Sequence, residues 1–256
     1  MIEKKFNEFV NIIRTLRGPN GCPWDKEQNL YSLKANIIEE AYELVEALDE
    51  KDIENIKEEL GDLLLHVVFH SVVAEEEHLF TLQDVLDKIK NKLIYRHPHV
   101  FGNVEIKDSN GVLKNWEKIK RTEKAERKSV LDGIPKALPS LSVALKLQKR
   151  AELFGFDFEN LDDALKKVEE ELKELKDTIE SNDRELISEE VGDLLFSVIN
   201  VARFLKINPD EALRLTNKKF IERIKFIEEK LAISNNTLES ATLDELNNLW
   251  EKSKGK

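Results

Sequence analysis

Apolar side chains recur at helical spacing along most of this chain. Phe6, Val10, Ile13 and Leu16 fall on one face of a first amphipathic segment, which Gly18-Pro19-Asn20-Gly21 ends. The next stretch, Cys22 to Gln28, reads as loop. A second helix is expected over Tyr31 to Leu48, and a third from about Asp52 through the apolar run Leu63 to Val73 as far as Glu76. Thr81, with Asp84 three residues on, has the form of a capping box, and the helix it opens should reach Arg96 before Pro98 stops it. His99 to Gly111 reads as an irregular loop. Further helices are expected at Ser140 to Leu153, Asp162 to Ile179 and Arg184 to Leu205. Another follows Asn208-Pro209-Asp210-Glu211, where proline takes the first helical position behind an N-cap, and a short one follows Thr242.

One stretch interrupts this series. Residues 128–140 carry Gly133, Pro135 and Pro139 and read as a linker, although Val130, Leu131 and Ile134 predict that it packs against something. A boundary there divides the chain into modules 1–127 and 128–256, the linker belonging to the second. At 256 residues the chain has room for two ordinary domains. With only 9 Gly, 6 Pro and 36% charged residues, the expected fold class is all-α, as two tandem helical modules.

Charge narrows the partners. The balance of 40 basic against 51 acidic residues leaves a net charge of −11, a field that repels nucleic acid and anionic membranes, so neither is expected as a partner. The single cysteine, Cys22, cannot close an intramolecular disulfide, is read as structural, and fits a reducing cytoplasm. The start of the chain, MIEKKFNEFVNIIRTLR, has no signal-peptide core, and His66 and His70 break the most apolar run, so no membrane segment is expected.

The acidic residues are not scattered. Glu40, Glu43, Glu59 and Asp62 recur as Glu171, Glu174, Glu190 and Asp193, each displaced by 131 positions, and Gly61, Leu63, Leu64 and Val67 recur as Gly192, Leu194, Leu195 and Val198 in the same register. At the chain's own acidic content, four chosen positions are all acidic by chance with a frequency of about 0.2 to the fourth power, so duplication is the better account. Each module therefore has ExxE on one helix and ExxD on the next, and residues three apart share a helical face. Four carboxylates gathered beside apolar runs repel one another unless protonated or bridged by cations. Oxygen-only ligands without cysteine suit a hard ion, Mg²⁺ or Mn²⁺, and such ions suit phosphoanhydride hydrolysis. A duplicated surface salt-bridge pattern is the plainer alternative.

Cations and aromatics echo as well. Trp116, Lys118 and Lys120 in the first half correspond to Trp250, Lys252 and Lys254 in the second, and Lys92 and Arg96 to Lys219 and Arg223. The rings would stack on a base and the cations hold outer phosphates. His66 and His70 have no histidine counterparts in the second half and are read as satisfied interior residues. His97 and His99 remain candidate contacts to phosphate or to the metal ligands.

Together the segments GCPWDKEQ (21–28), EEAYELVEAL (39–48), EELGDLLLHVVFH (58–70) and RHPHVFG (96–102) closely resemble the MazG family. GFDF (155–158), EEVGDLLFSVINVAR (189–203) and NKKFIERI (217–224) resemble that family's second module. The resemblance covers nearly the whole chain. It implies a helical-bundle homodimer, each module contributing to a four-helix-bundle type assembly, that cleaves nucleoside triphosphates to monophosphate and pyrophosphate with Mg²⁺. By similarity Glu40, Glu43, Glu59, Asp62, Glu171, Glu174, Glu190 and Asp193 are metal ligands, and Glu39 and Glu170 orient or deprotonate the attacking water. Arg96, Lys118, Lys120, Lys219, Arg223, Trp250 and Lys254 contact substrate, Trp116 being assigned from the repeat. The chain departs from the family where many members have two arginines before HPHVFG, since it has Tyr95-Arg96. A di-iron carboxylate bundle would need paired ExxH motifs, and the chain has one, Glu75 to His78. The remaining alternative is a regulatory helical protein that binds nucleotide and metal without turnover.

Overall fold

The computed structural model describes residues 1–106, 108, 111–112, 115–116, 119–120, 123 and 129–255. Among these every regular element is a helix: α1 (Ile2–Arg17), α2 (Pro23–Glu27), α3 (Lys34–Glu50), α4 (Ile53–Glu76), α5 (Leu82–Arg96), α6 (Pro98–Phe101), α7 (Ser140–Leu153), α8 (Leu161–Ile179), α9 (Arg184–Phe204), α10 (Pro209–Ile233) and α11 (Leu243–Ser253). The chain is all-α and falls into two compact units, Met1–Lys120 and Arg121–Lys256. The boundary expected near residue 128 falls where most residues lie outside the described ones. None of the described helices is long and apolar enough to cross a membrane.

In the first unit Val10 and Ile13 of α1 pack on Val68, Phe69, Val72 and Val73 of α4, with Leu33 closing the cluster. Ion pairs fasten the edge of this contact, Arg14 to Glu75 at 2.8 Å and Arg17 to Glu76 at 2.7 Å. Helices α3 and α4 form a hairpin. Lys51 takes the left-handed conformation that ends α3, and the Asp52 carboxylate accepts from the Glu54 and Asn55 backbone N–H groups to start α4. In the second unit α8 and α9 repeat this turn 131 residues later, with Asn182 at positive φ and Asp183 capping α9 through Glu185 and Leu186. The duplicated register thus runs through the turn that brings the two carboxylate-bearing helices together.

The second unit is completed by α7, which lies on α9, and by the pair α10 and α11. Arg150 Nη1 donates to the carbonyls of Asp132 (2.6 Å) and Val130 (3.3 Å) and so ties the linker to α7, while Val130 and Leu131, expected to pack, are 42% and 41% exposed. Thr81 with Asp84 and Thr242 with Glu245 both form complete capping boxes.

Three local expectations are corrected. Cys22 to Gln28 is not all loop, because Pro23 at the first helical position presets φ and a single turn forms over Pro23–Glu27. Tyr31 to Leu33 precede the second long helix, since the Asn29 carboxamide oxygen accepts from the N–H groups of Tyr31 and Ser32 and holds a turn there. Between His99 and Gly111 the chain is not wholly irregular: Pro98–Phe101 is one helical turn, and Gly111 is helical with Val112.

Candidate functional site

The α3–α4 hairpin brings ExxE against ExxD. Glu40, Glu43 and Glu59 each offer a carboxylate oxygen, and the three oxygens lie within 4.8 Å of one another. Asp62, one turn beyond Glu59, adds its charge. Burial, then the Asp62 and Glu43 charges, push the Glu40 carboxyl above the ordinary range. Glu59 is raised likewise, by desolvation first and then by Glu43 and Asp62. One Glu59 oxygen, Oε2, is buried and has no hydrogen-bond partner among the described residues.

The α8–α9 hairpin repeats the cluster with Glu171, Glu174 and Glu190, again within 4.8 Å, while Asp193 faces the cavity next to it. Glu171 is almost fully buried at 6% exposure. Here a cation stands in the group: Lys167 Nζ lies 2.8 Å from both Glu170 and Glu171. Those two hydrogen bonds raise the lysine's pKa. Desolvation and the Glu171 charge raise the Glu174 carboxyl, and Lys167 opposes them. The position equivalent to Lys167 in the first unit is Asn36. Sequence reading missed Lys167, although its place four residues before Glu171 on one helix was a readable signal.

The chemistry of the donor set fits a divalent cation in both units. Crowded carboxylates, raised at Glu40, Glu59 and Glu174, and in the first unit the orphaned Glu59 oxygen, leave an energetic demand that a hard ion would meet. Glu39 and Glu170 sit beside Glu40 and Glu171 but are exposed, Glu170 holding Lys167.

One arginine and one ring come together in each unit, away from the carboxylate-bearing helices. The Arg96 guanidinium lies 5.6 Å from the Trp116 ring, and that of Arg223 lies 5.1 Å from Trp250, which also packs on Phe220. Arg96 is buried, Lys120 and Trp116 are half-buried, and Lys219 is exposed. Lys254 pairs with Glu251 at 2.6 Å. Lys118 lies outside the described residues.

The histidines need correction. His66 is interior as expected but its Nδ1 has no partner among the described residues, and its Nε2 is 3.9 Å from Glu40. Burial, then its neighbour His70, lower its pKa. His70 donates from Nδ1 to the His66 carbonyl at 2.7 Å and leaves Nε2 buried and unpaired. Each thus keeps one ring nitrogen without a partner among the described residues, and the side chains of Val68, Phe69 and Val72 beside them offer none. His97 bonds the Leu93 carbonyl and packs edge-on against Trp116, while His99 Nδ1 is buried with no partner among the described residues. Cys22 is a half-buried free thiol.

Comparison with known proteins follows this two-site geometry. A family model described as the MazG nucleotide pyrophosphohydrolase domain matches twice, over residues 28–101 and 159–227, each match containing one carboxylate hairpin. The nucleoside triphosphate pyrophosphohydrolase/pyrophosphatase MazG of Thermotoga maritima is 47% identical over 252 residues, covering 98% of this chain and 96% of that one. A nucleoside triphosphate pyrophosphohydrolase of Escherichia coli is 38% identical over 255 residues, covering 98% and 97%. The Bacillus subtilis protein YabN is 48% identical over 256 residues, and this chain spans 52% of its length.

Proposed function

The chain belongs to the MazG family of nucleotide pyrophosphohydrolases, and from that premise we propose that it hydrolyses nucleoside triphosphates at the α/β phosphoanhydride, giving monophosphate and pyrophosphate with Mg²⁺. The observation that carries this reading is the pair of glutamate clusters in one register, each with three carboxylate oxygens within 4.8 Å of one another, desolvated and crowded enough to raise the carboxyls of Glu40 and Glu174.

Glu40, Glu43, Glu59 and Asp62 would hold Mg²⁺, or Mn²⁺ in its place, and Glu171, Glu174, Glu190 and Asp193 would do so in the second unit. The ion supplies charge neutralisation of the triphosphate and a lowered pKa for water. Glu39 and Glu170 accept the proton as water oxygen bonds to the α-phosphorus and the bond to the α/β bridging oxygen breaks. Arg96, Lys118 and Lys120, with Lys219, Arg223 and Lys254 in the second unit, take up the charge of the departing pyrophosphate, and Trp116 and Trp250 contact the nucleotide.

A homodimer is part of the reading. Leu60, Leu64 and Val67 on α4 are 53%, 42% and 47% exposed, and their equivalents Val191, Leu195 and Val198 on α9 are 41%, 53% and 48% exposed. These are i, i+4, i+7 stripes of the kind that complete a helical bundle. The free Cys22 thiol fits a cytoplasmic location.

The test is turnover of NTPs and dNTPs by the purified chain with Mg²⁺ or EDTA, beside the double variant Glu43→Gln/Glu174→Gln. Metal-dependent release of pyrophosphate that the variant loses is expected. Nucleotide binding without turnover would replace this reading with that of a regulatory binding protein.

A further inference from the structure

Beside the second glutamate cluster opens a cavity of about 630 Å³. Leu147, Ala151, Phe156, Phe158 and Phe196 give it apolar walls, and Lys167, Glu171 and Asp193 stand at its charged side. Two carboxamides, Gln148 at 7% and Asn200 at 9% exposure, are set into it. Each has one end committed. Gln148 Nε2 donates to the Phe196 carbonyl at 2.7 Å, and since a carbonyl only accepts, the amide orientation is fixed and Oε1 is left. That oxygen is buried and has no hydrogen-bond partner among the described residues. Asn200 Oδ1 accepts from Arg203 Nε at 2.8 Å, which leaves Nδ2 as the donor. Arg203 is itself held by Glu152 at 2.8 Å and by Asp157.

The outcome is one acceptor and one donor, held in an apolar chamber that adjoins a metal-type carboxylate cluster. A buried acceptor without a partner is destabilising, and a ligand bearing an N–H would remove that cost. The matching ligand is flat and apolar on its faces, carries an N–H beside a ring nitrogen or carbonyl on its edge, and is anionic toward Lys167. We propose that this chamber is the nucleobase pocket of the second unit, and that Gln148 Oε1 and Asn200 Nδ2 read the base edge, making Gln148 a specificity-determining residue. The proposal rests on the nucleotide reading given above.

The first unit has no such pair on its matching helix. In the shared register Phe69 stands for Asn200 and Val72 for Arg203. The Phe69 ring lies 5.1 Å from the Arg17 guanidinium, which also bonds the Asp25 and Gln28 carbonyls and Glu76. Base discrimination by this device therefore belongs to the second unit.

The full chain carrying Glu43→Gln, so that turnover reports the second unit, is compared with the same chain carrying in addition Gln148→Met or Asn200→Asp. The latter keeps an acceptor for Arg203 but loses the donor. The readouts are kcat/KM and Kd for ATP and for purine riboside 5′-triphosphate, whose ring lacks the amine, and the inhibition constant of tripolyphosphate, which has no base. The parent is expected to favour ATP over the analogue by about tenfold or more. Gln148→Met should erase that preference, Asn200→Asp should weaken ATP and the analogue alike because both keep the ring nitrogen, and both substitutions should leave tripolyphosphate inhibition unchanged. An equal preference in the parent and the Gln148→Met variant overturns the proposal, as does a loss shared by ATP, analogue and tripolyphosphate. If the parent turns over no nucleotide yet binds ATP with a Gln148-dependent preference, the hydrolase reading fails and the pocket stands.

Discussion

Arg203 is where stability and ligand geometry meet, so Arg203→Met is the substitution from which most can be calculated. The guanidinium is 6% exposed and touches Asn200, Glu152, Asp157 and the Phe204 ring, at 4.5 Å from the ring centroid. Glu152 is half exposed, at 52%, so its pair contributes at most about 1 kcal/mol. Asp157 is 21% exposed and anchors the GFDF loop, and stripping the partner from a largely buried ion pair costs about 3–5 kcal/mol in total, most of it from the carboxylate left behind. Methionine fills much of the volume, so little cavity cost is added. For a domain of this size that loss lowers the melting temperature by about 10 °C. Differential scanning calorimetry at pH 7 measures it, and Arg203→Lys, which keeps the charge but not the planar fork, should fall between the two. A shift below about 2 °C for the methionine variant would show that the cluster is a solvated surface network and that Asn200 is not held by it.

Two further outcomes are expected. Hydrogen bonds from Thr81 hold the Asp84 carboxyl below its ordinary value of 3.8, and backbone then side-chain bonds from Thr242 hold Glu245 below 4.5. Such groups stabilise the fold fully above their unfolded values and lose that contribution as pH falls through the folded ones. Thr81→Ala should therefore cost about 1 kcal/mol at neutral pH, and its deficit in circular-dichroism melts should shrink below about pH 4; a deficit independent of pH would contradict the capping account. Leu64→Lys with Leu195→Lys should convert a dimer to a monomer in light scattering while helicity persists, because both side chains are exposed in the single chain; a dimer that survives would place the interface elsewhere.

Much of this was legible in the sequence because it depends on periodicity and local capping. The long helices, the capping boxes at Thr81 and Thr242 and the gathering of Glu40, Glu43 and Glu59 follow from spacing alone. Asp62 and Asp193 were grouped with the glutamates by spacing, but no residue pattern states how far a carboxylate reaches across a hairpin. The turn at Pro23–Glu27 was not legible because five residues are too few to show an apolar periodicity. Gln148 was invisible for a different reason. Its role depends on which end of its amide meets the Phe196 carbonyl, a contact 48 residues away along the chain. The unpaired nitrogens of His66 and His70 are likewise products of packing and carry no sequence signature.

The most direct test of the central claim is ³¹P NMR of ATP incubated with the full chain and Mg²⁺ in water enriched in ¹⁸O. Cleavage at the α/β anhydride predicts AMP and a pyrophosphate singlet, with the isotope in AMP and no reaction in EDTA. Appearance of ADP and inorganic phosphate, or turnover untouched by EDTA, would contradict the account.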